Sequence, residues 1–519
     1  MKKILSYVLC LAMIAASVTG CASVDAKTIE QQKQEEAANK LSTELASKTE
    51  WTKKPKYIFM FIGDGMSFPQ VNSAQVYEGN NTYGEVTTEL LNFTQFPVAG
   101  VMTTQDSTSF CPDSASTATS LASGVKTHSG TIGLKVDKET VAPTITELLK
   151  KQRNMKIGVV SNVTINHATP AAYYSHVVTR NDYYDIAMQM ANSGFDYFGG
   201  GSISKATGAN KDQKSAYEVL EEKGYTVADT KEEILSLNKN SGKTYAVSPV
   251  LQDSGAMPYA IDAKQGDLQL ADFVKKGIDV LDNKNGFFMM TESGKIDWAC
   301  HANDAKSVIS DVLAFEDAIQ VAIDFGKKHP SETLIIVTAD HETGGMTIGY
   351  AATGYSTAFD ILDNQKMSYV AFNELIKDMK EQDADGLTFE EVMPVITENF
   401  GLVVPNGIDE KAAGLEINPL EMTGGEYKKL QDGFVESMKK DKTKNDETYI
   451  LYGGYDPLSV SITHILNNKA GIGWTSYSHT GLPVGVFATV VGADIFNGSY
   501  DNTDVFNKLV KLTKISVSK

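Results

Sequence analysis

The chain has 519 residues, 42% hydrophobic and 22% charged, which is ordinary globular composition with enough apolar material for a large buried core. Its formal net charge of −18 argues against nucleic acid as a partner, because phosphate backbones are met by clustered Lys and Arg. An acidic protein that handles anionic ligands must concentrate positive charge locally, and bound cations can supply it.

The amino terminus reads as a targeting segment. Lys2 and Lys3 form a basic start, and Ile4 to Ala16 is an apolar stretch too short for a membrane span. It closes on Val18-Thr19-Gly20-Cys21, which resembles a bacterial lipobox, with Cys21 lipidated after cleavage. The other reading is an ordinary secretory signal with an incidental cysteine, and the lipobox is favoured. Residues 1–20 are therefore expected to be a signal peptide. Residues 21–50, rich in Gln, Glu, Lys and Ala, read as a lipid-anchored tether. The expected product is exported and anchored to the bacterial cell envelope through its lipid, facing the periplasm or the exterior.

The folded body starts near Trp51 and is expected to run to residue 519 as one catalytic domain. Tyr57 to Gly63 is an apolar run that ends on Asp64. Next comes Pro112-Asp113-Ser114-Ala115-Ser116-Thr117-Ala118-Thr119, leading into Leu121 and Ala122, a pattern that predicts a helix starting at Asp113 or Ser114. Another apolar run, Ile157 to Val160, leads through a short loop to His167 and Thr169. Phe287 to Thr291 ends on Glu292, and Asp297 and His301 follow at i and i+4, on one face if helical. Ala305 to Phe325 is amphipathic. Leu334 to Ala339 ends on Asp340-His341. Apolar runs alternating with amphipathic stretches predict a doubly wound α/β fold, a mostly parallel central sheet with helices on both faces. Residues 350–473 lack such runs and read as an insertion. The chain returns through Ser478-His479-Thr480-Gly481 and a last core strand from Val484 to Val491.

In a parallel sheet the strands deliver their carboxyl ends to one edge, where ligands bind. Asp64, Glu292, Asp340 and His341 would therefore converge from distant sequence, as a multi-metal site requires. Mixed Asp and His ligands suit zinc. Ser and Asp at a helix start are most often plain caps, but Ser114 would also sit in the positive field of the helix end. No Gly-x-Ser-x-Gly elbow is present, so activating that serine falls to metal ions. Cys111 and Cys300 could pair but read better as two unpaired core thiols. His176 and His464 read as packed or hydrogen-bonded, His128 and His329 as exposed. Thr388 with Glu391 reads as a capping box.

The Gly63-Asp64-Gly65-Met66 segment, Asp113-Ser114-Ala115, His167-Ala168-Thr169-Pro170-Ala171, Thr338-Ala339-Asp340-His341 and His479-Thr480-Gly481 closely resemble the alkaline phosphatases. The likeness spans about residues 55–350 and resumes from about 474. It implies phosphate monoester hydrolysis through a phosphoserine at Ser114, with two zinc ions and one magnesium. One zinc would be held by Asp297, His301 and His479. The other would be held by Asp64, Asp340 and His341, with Ser114 joining it. Magnesium would take Asp64, Thr169 and Glu292. Arg180 would fork two phosphate oxygens, and Asp113 and His167 would act from outside the ligand set. His167 and Trp298 stand where some bacterial members have aspartate and lysine, closer to the animal and marine-bacterial pattern, which leaves metal preference at the third site open. The expected substrates are small phosphate monoesters, and a homodimer is compatible with the resemblance. A phosphodiesterase or specialised phosphatase on the same scaffold, or a non-catalytic metal-binding lipoprotein, are the alternatives. Arg180 with Thr169 and Glu292 favours monoesters.

Overall fold

Among the described residues, ten strands form one sheet, in the order β14 (Gly498–Asp501), β2 (Val98–Thr103), β13 (Val484–Val490), β8 (Thr333–Ala339), β1 (Tyr57–Gly63), β7 (Phe287–Ser293), β3 (Lys156–Ser161), β4 (Tyr197–Gly200), β6 (Lys243–Val247), β5 (Tyr225–Ala228). The computed structural model describes residues 54–83, 86–382, 386–407, 418–439 and 445–517. The expected signal peptide, Cys21 and the tether lie outside the described residues. β1 (Tyr57–Gly63), β7 (Phe287–Ser293) and β8 (Thr333–Ala339) are the three apolar runs of the sequence, buried at every position. A strand buried on both faces cannot alternate polar and apolar, which is why these runs are continuous. β3 (Lys156–Ser161) is the fourth. These four are neighbours, all parallel, and they form the middle of the sheet.

β4 (Tyr197–Gly200), β5 (Tyr225–Ala228) and β6 (Lys243–Val247) extend one side in parallel. On the other side, β13 (Val484–Val490) runs antiparallel to both β8 and β2 (Val98–Thr103). β13 is not the last strand. β14 (Gly498–Asp501) follows it at the edge, paired parallel with β2, and a helix, Thr503–Thr513, closes the chain. At four residues with two of them exposed, β14 is too short and too polar to stand out as a strand.

The helix Ala305–Lys328 buries its apolar stripe, including Val308, Val312, Phe315 and Ile319, in the core. Phe315 meets Phe61 of β1 edge to face, and Phe325 meets Phe59 and Tyr57. Beyond β8 two short strands, β9 (Glu342–Thr343) and β10 (Thr347–Ile348), lead to the region from 350 onward, where helices dominate among the described residues. Those helices include Tyr369–Gln382, Phe389–Phe400, Gly424–Met438, Asp446–Tyr452 and Pro457–Ala470. Thr388 and Glu391 form the expected capping box. The chain re-enters through β11 (Ile472–Gly473), which pairs antiparallel with β10, so the helical region hangs from a two-stranded neck. β12 (His479–Thr480) then pairs with β9.

Candidate metal centre and nucleophile

Register, more than sequence spacing, assembles the site. In β1 against β7, Ile62 pairs with Glu292; in β1 against β8, Gly63 pairs with Ala339; in β3 against β7, Ser161 pairs with Glu292. The carboxyl ends of four adjacent strands thus stop level with one another, and Asp340, Asp64 and Glu292 stand side by side. Gly65 has φ +71°, and a Cβ there would lie 3.0 Å from Asp297 Cα, Asp297 Oδ1 and Thr343 Oγ1. Only glycine lets the Asp64 turn pass so close to the Asp297 helix.

The helix Ser114–Ser123 begins with Ser114, and Asp113 is its cap, accepting from Ser116 N–H at 3.1 Å. This leaves the Ser114 hydroxyl free of capping duty. Its Oγ lies 3.2 Å from His341 Nε2. Asp297 and His301 share one face of the helix Lys295–His301, with His301 Nε2 3.3 Å from Asp297 Oδ2. His479 enters from β12: its Nε2 is 3.6 Å from Asp297 Oδ1 and 3.1 Å from His301 Nε2. Its ring stacks on that of His341 at 3.7 Å. Thr343 Oγ1 donates to Asp297 Oδ1 at 2.6 Å.

Among the described residues, three sets of possible ligand atoms come within 4.8 Å of one another: Asp297, His301 and His479; Asp64, Asp340 and His341; and Asp64, His167 and Glu292. The first two are the zinc triads that the resemblance implies. In the third, His167 reaches the group directly, while Thr169 Oγ1 lies 3.5 Å from Asp64 Oδ2.

The electrostatics of these sets call for cations. Burial, with the charges of Asp340, Asp297 and Glu292, pushes Asp64 well above the usual carboxylate range. Burial raises Glu292 to about 8, and burial with the Asp297 charge raises Asp340 to about 7. Asp64 Oδ1, Asp340 Oδ2, Glu292 Oε1 and His167 Nδ1 are buried with no hydrogen-bond partner. Burial also acts on Asp297, but His301, His479 and His341 more than offset it and hold that carboxyl well below its ordinary value. Crowded carboxyl groups with unpartnered oxygens beside imidazoles are a poor arrangement for a core and a good one for divalent metals. The residues present therefore fit the zinc and magnesium that the family resemblance implies.

Arg180 lines the same cavity as Ser114. It donates to Asp113 Oδ2 at 2.9 Å through Nη1 and to His167 Nε2 at 3.2 Å through Nη2. Burial raises the Asp113 carboxyl, yet Arg180 and the N–H groups of Gly130 and Ser116 outweigh it and leave it lowered. Ser114, Arg180, His167, Asp297, His301 and His479 face one cavity of about 360 Å³.

Glu342 carries no signal of its own in the sequence. It is fully buried and accepts from Gln70 Nε2 at 2.7 Å, Gly345 N–H at 3.1 Å, Met346 N–H at 3.2 Å and the Thr480 hydroxyl. It fastens β9, which follows His341, to β12, which carries His479. His176 bonds Glu147, and His464 bonds Asn303, as expected of structural histidines. His128 and His329 are only part-exposed, with the His329 ring packed on Phe325 at 4.4 Å. Cys111 and Cys300 are both free thiols, but Cys111 is exposed, not a core residue.

A serine at a buried helix start, an arginine lining the same cavity and three carboxylate–histidine sets at the edge of a doubly wound sheet define a metal-dependent hydrolase. The sequence matches the family described as "Alkaline phosphatase" over residues 55–197 and 195–515. Alkaline phosphatase 4 of Bacillus subtilis is 30% identical over 466 residues, 88% of each chain. Alkaline phosphatase 3 of the same organism is 31% identical, covering 89% of this chain and 90% of that one. The cold-active alkaline phosphatase from Shewanella sp. superposes with a TM-score of 0.69 at 26% identity, covering 88% of this chain and 99% of that one. This chain belongs to the alkaline phosphatase family, and it is a metal-dependent phosphoric monoester hydrolase.

Proposed function

We propose that the protein hydrolyses small phosphate monoesters through a phosphoserine at Ser114, with two zinc ions and one magnesium ion. Asp297, His301 and His479 would hold one zinc. Asp64, Asp340 and His341 would hold the other, with the Ser114 hydroxyl beside it. Asp64, Thr169 and Glu292 would hold magnesium, with His167 close by. A solved variant of the alkaline phosphatase from the Antarctic bacterium TAB5 has Mg bound in its M3 site, in line with magnesium at a third site here. Bound there, the metals would supply Lewis acidity, lowering the pKa of hydroxyl groups and water and neutralising phosphate oxygens.

The chain's own groups do the rest. Asp113 fixes Arg180, whose fork binds two phosphate oxygens and turns phosphorus toward Ser114. Backbone N–H groups at the start of the helix Ser114–Ser123 favour the anion. Ser114 Oγ attacks phosphorus in line, the P–O bond to the alcohol breaks, and phosphate is left on the serine. Water then attacks from the vacated side, breaks the serine ester and releases inorganic phosphate. Because catalysis is mostly positioning and charge neutralisation, the leaving group needs little recognition.

The observation that carries this reading is the Ser114 hydroxyl at 3.2 Å from His341 Nε2, in the cavity shared with Arg180. The test is p-nitrophenyl phosphate turnover at alkaline pH, with and without zinc and magnesium, beside bis-p-nitrophenyl phosphate. Zinc-dependent monoester turnover is expected; preference for the diester would move the assignment to a phosphodiesterase.

Export and anchoring through Cys21 are part of the proposal and rest on the sequence of residues 1–50. Cys21→Ser should release the protein from the membrane fraction into the medium or periplasm. A homodimer is proposed by family likeness, and sedimentation tests it.

A further inference from the structure

The cavity around Ser114 extends past the reacting groups to a wall that the proposed chemistry does not use. Asp253, Ser254, Trp298, Tyr369 and Tyr455 form that wall. Tyr369 and Tyr455 come from the helical region hung on the β10–β11 neck, and their rings meet edge to face at 5.6 Å. Trp298, next to Asp297, packs edge-on against His167 at 5.8 Å. Ser254 has φ +57°, a left-handed conformation that a non-glycine residue adopts at a cost and that recurs at ligand sites.

This wall is set from behind. Lys295 is completely buried and does not line the cavity, and its Nζ makes no hydrogen bond. The ammonium lies 3.9 Å from the ring centre of Tyr259, 4.8 Å from that of Trp298 and 3.8 Å from Asp253 Oδ2. It thereby holds both Trp298 and Asp253 in place. Asp253 still exposes 26% of its side chain. Asp311, Asp262 and Glu374 also act on Lys295, so four carboxyl groups share one ammonium.

The lining divides by chemistry. Arg180 and the histidines are the groups assigned to phosphate and metal; the rest of the wall offers three aromatic rings and one carboxylate. A second phosphate or a carboxylate on the leaving group would meet Asp253, whose cation, Lys295, lies behind the wall and is shared with Asp311, Asp262 and Glu374. A neutral aryl group would cover the rings but bury Asp253 against apolar surface, which costs free energy. An ammonium satisfies both, since cations bind aromatic faces and pair with carboxylates.

We infer that this wall of the cavity is a leaving-group subsite for phosphorylated amino alcohols, whose ammonium group stands a short chain from the ester oxygen. The inference rests on the monoesterase reading above and names the substrate class of that site.

The test compares phosphocholine with its uncharged isostere, 3,3-dimethylbutyl phosphate, with p-nitrophenyl phosphate as reference, on the metal-loaded full chain. The two alkyl esters match in shape, so the ratio of their kcat/KM values reads the charge alone. A ratio of about ten in favour of phosphocholine is expected. Asp253→Asn should bring it close to one, and Tyr455→Leu should lower it. The melting temperature of each variant is checked first, and tetramethylammonium should compete with phosphocholine in the wild type. A ratio near one in the wild type, or one that survives Asp253→Asn, overturns the inference while p-nitrophenyl phosphate turnover preserves the monoesterase reading. Failure to turn over p-nitrophenyl phosphate as well overturns both.

Discussion

His301 and His479 face each other through their Nε2 atoms at 3.1 Å, while each Nδ1 donates to a backbone carbonyl, Tyr477 at 2.6 Å and Pro112 at 2.5 Å. With both Nδ1 protons committed, two lone pairs point at one place beside Asp297. Burial lowers His301, but the Asp297 charge more than offsets it and raises the imidazole to about 8. Without metal a proton fills the gap; a divalent cation displaces it.

Zinc titrated into the metal-free chain at pH 7 should therefore release protons. Calorimetry in two buffers of different ionisation enthalpy measures the number. His479→Ala should weaken the tightest zinc step by at least ~10²-fold, since losing even an outer partner of a metal ligand costs 10–100-fold. Unchanged zinc affinity would rule His479 out as a ligand.

Ser114→Ala should abolish turnover by at least ~10³-fold and leave the melting temperature nearly unchanged. Asp113, not Ser114, caps the helix, so alanine at its first position removes no cap bond. Trapping labelled phosphate on the wild-type chain at low pH, and its absence in the variant, checks the covalent step.

Asp113→Asn keeps the cap geometry but removes the charge that holds Arg180. Arg180 should then hold phosphate more loosely, with KM and the phosphate inhibition constant rising together by about tenfold. A change in kcat alone would assign Asp113 a different task.

Metal-free stability should fall as pH rises from ~7 to ~8.5. Asp340 titrates at about 7, Glu292 and His301 at about 8, and Asp64 is also raised. Each folded value lies above the unfolded one, so each group stabilises at low pH and loses that contribution as pH passes through its folded value. His167, His341 and His479 are held low by burial and are already neutral in this window. The metal-loaded protein should show no such fall, because metal competes with protons for the same atoms. Melting temperatures of both forms across this range decide it, and parallel slopes would contradict the metal assignment.

Glu342→Ala should destabilise the fold by about 3 kcal/mol, because it strands buried donors on Gln70, Gly345 and Met346. It should also weaken zinc binding through His479, which Thr480 and Glu342 hold against the sheet. Denaturant titration and zinc affinity read the two effects separately. Wild-type zinc binding would show that β12 is held by other contacts.

Much of the central sheet was legible because its signal is local. Tyr57 to Gly63, Phe287 to Ser293 and Thr333 to Ala339 are apolar at nearly every position, which only a doubly covered strand tolerates. Asp113 before Ser114 reads as a cap for the same reason: the unpaired N–H groups it serves lie within three residues. The Asp297–His301 spacing needed only a helix, and one is there.

Other features are decided by pairing between distant segments. The order β8-β1-β7-β3 and the level register of its ends bring Asp340, Asp64 and Glu292 together, and no local pattern encodes a register. β14 is too short to announce itself, and Glu342 looks like any surface glutamate until Gln70 and Thr480 surround it.

The sequence by itself determined which side chains could do this protein's chemistry, because strand ends, caps and helical spacing are written in neighbouring residues. Only the tertiary structure decided which of them lie close enough to share an ion, what holds their rings in place, and that Asp253, Trp298, Tyr369 and Tyr455 wall the same cavity. Those four wall residues stand more than 40 positions apart from one another, up to 202 for Asp253 and Tyr455. Their geometry is fixed by sheet register and by the β10–β11 neck, which are properties of the whole fold.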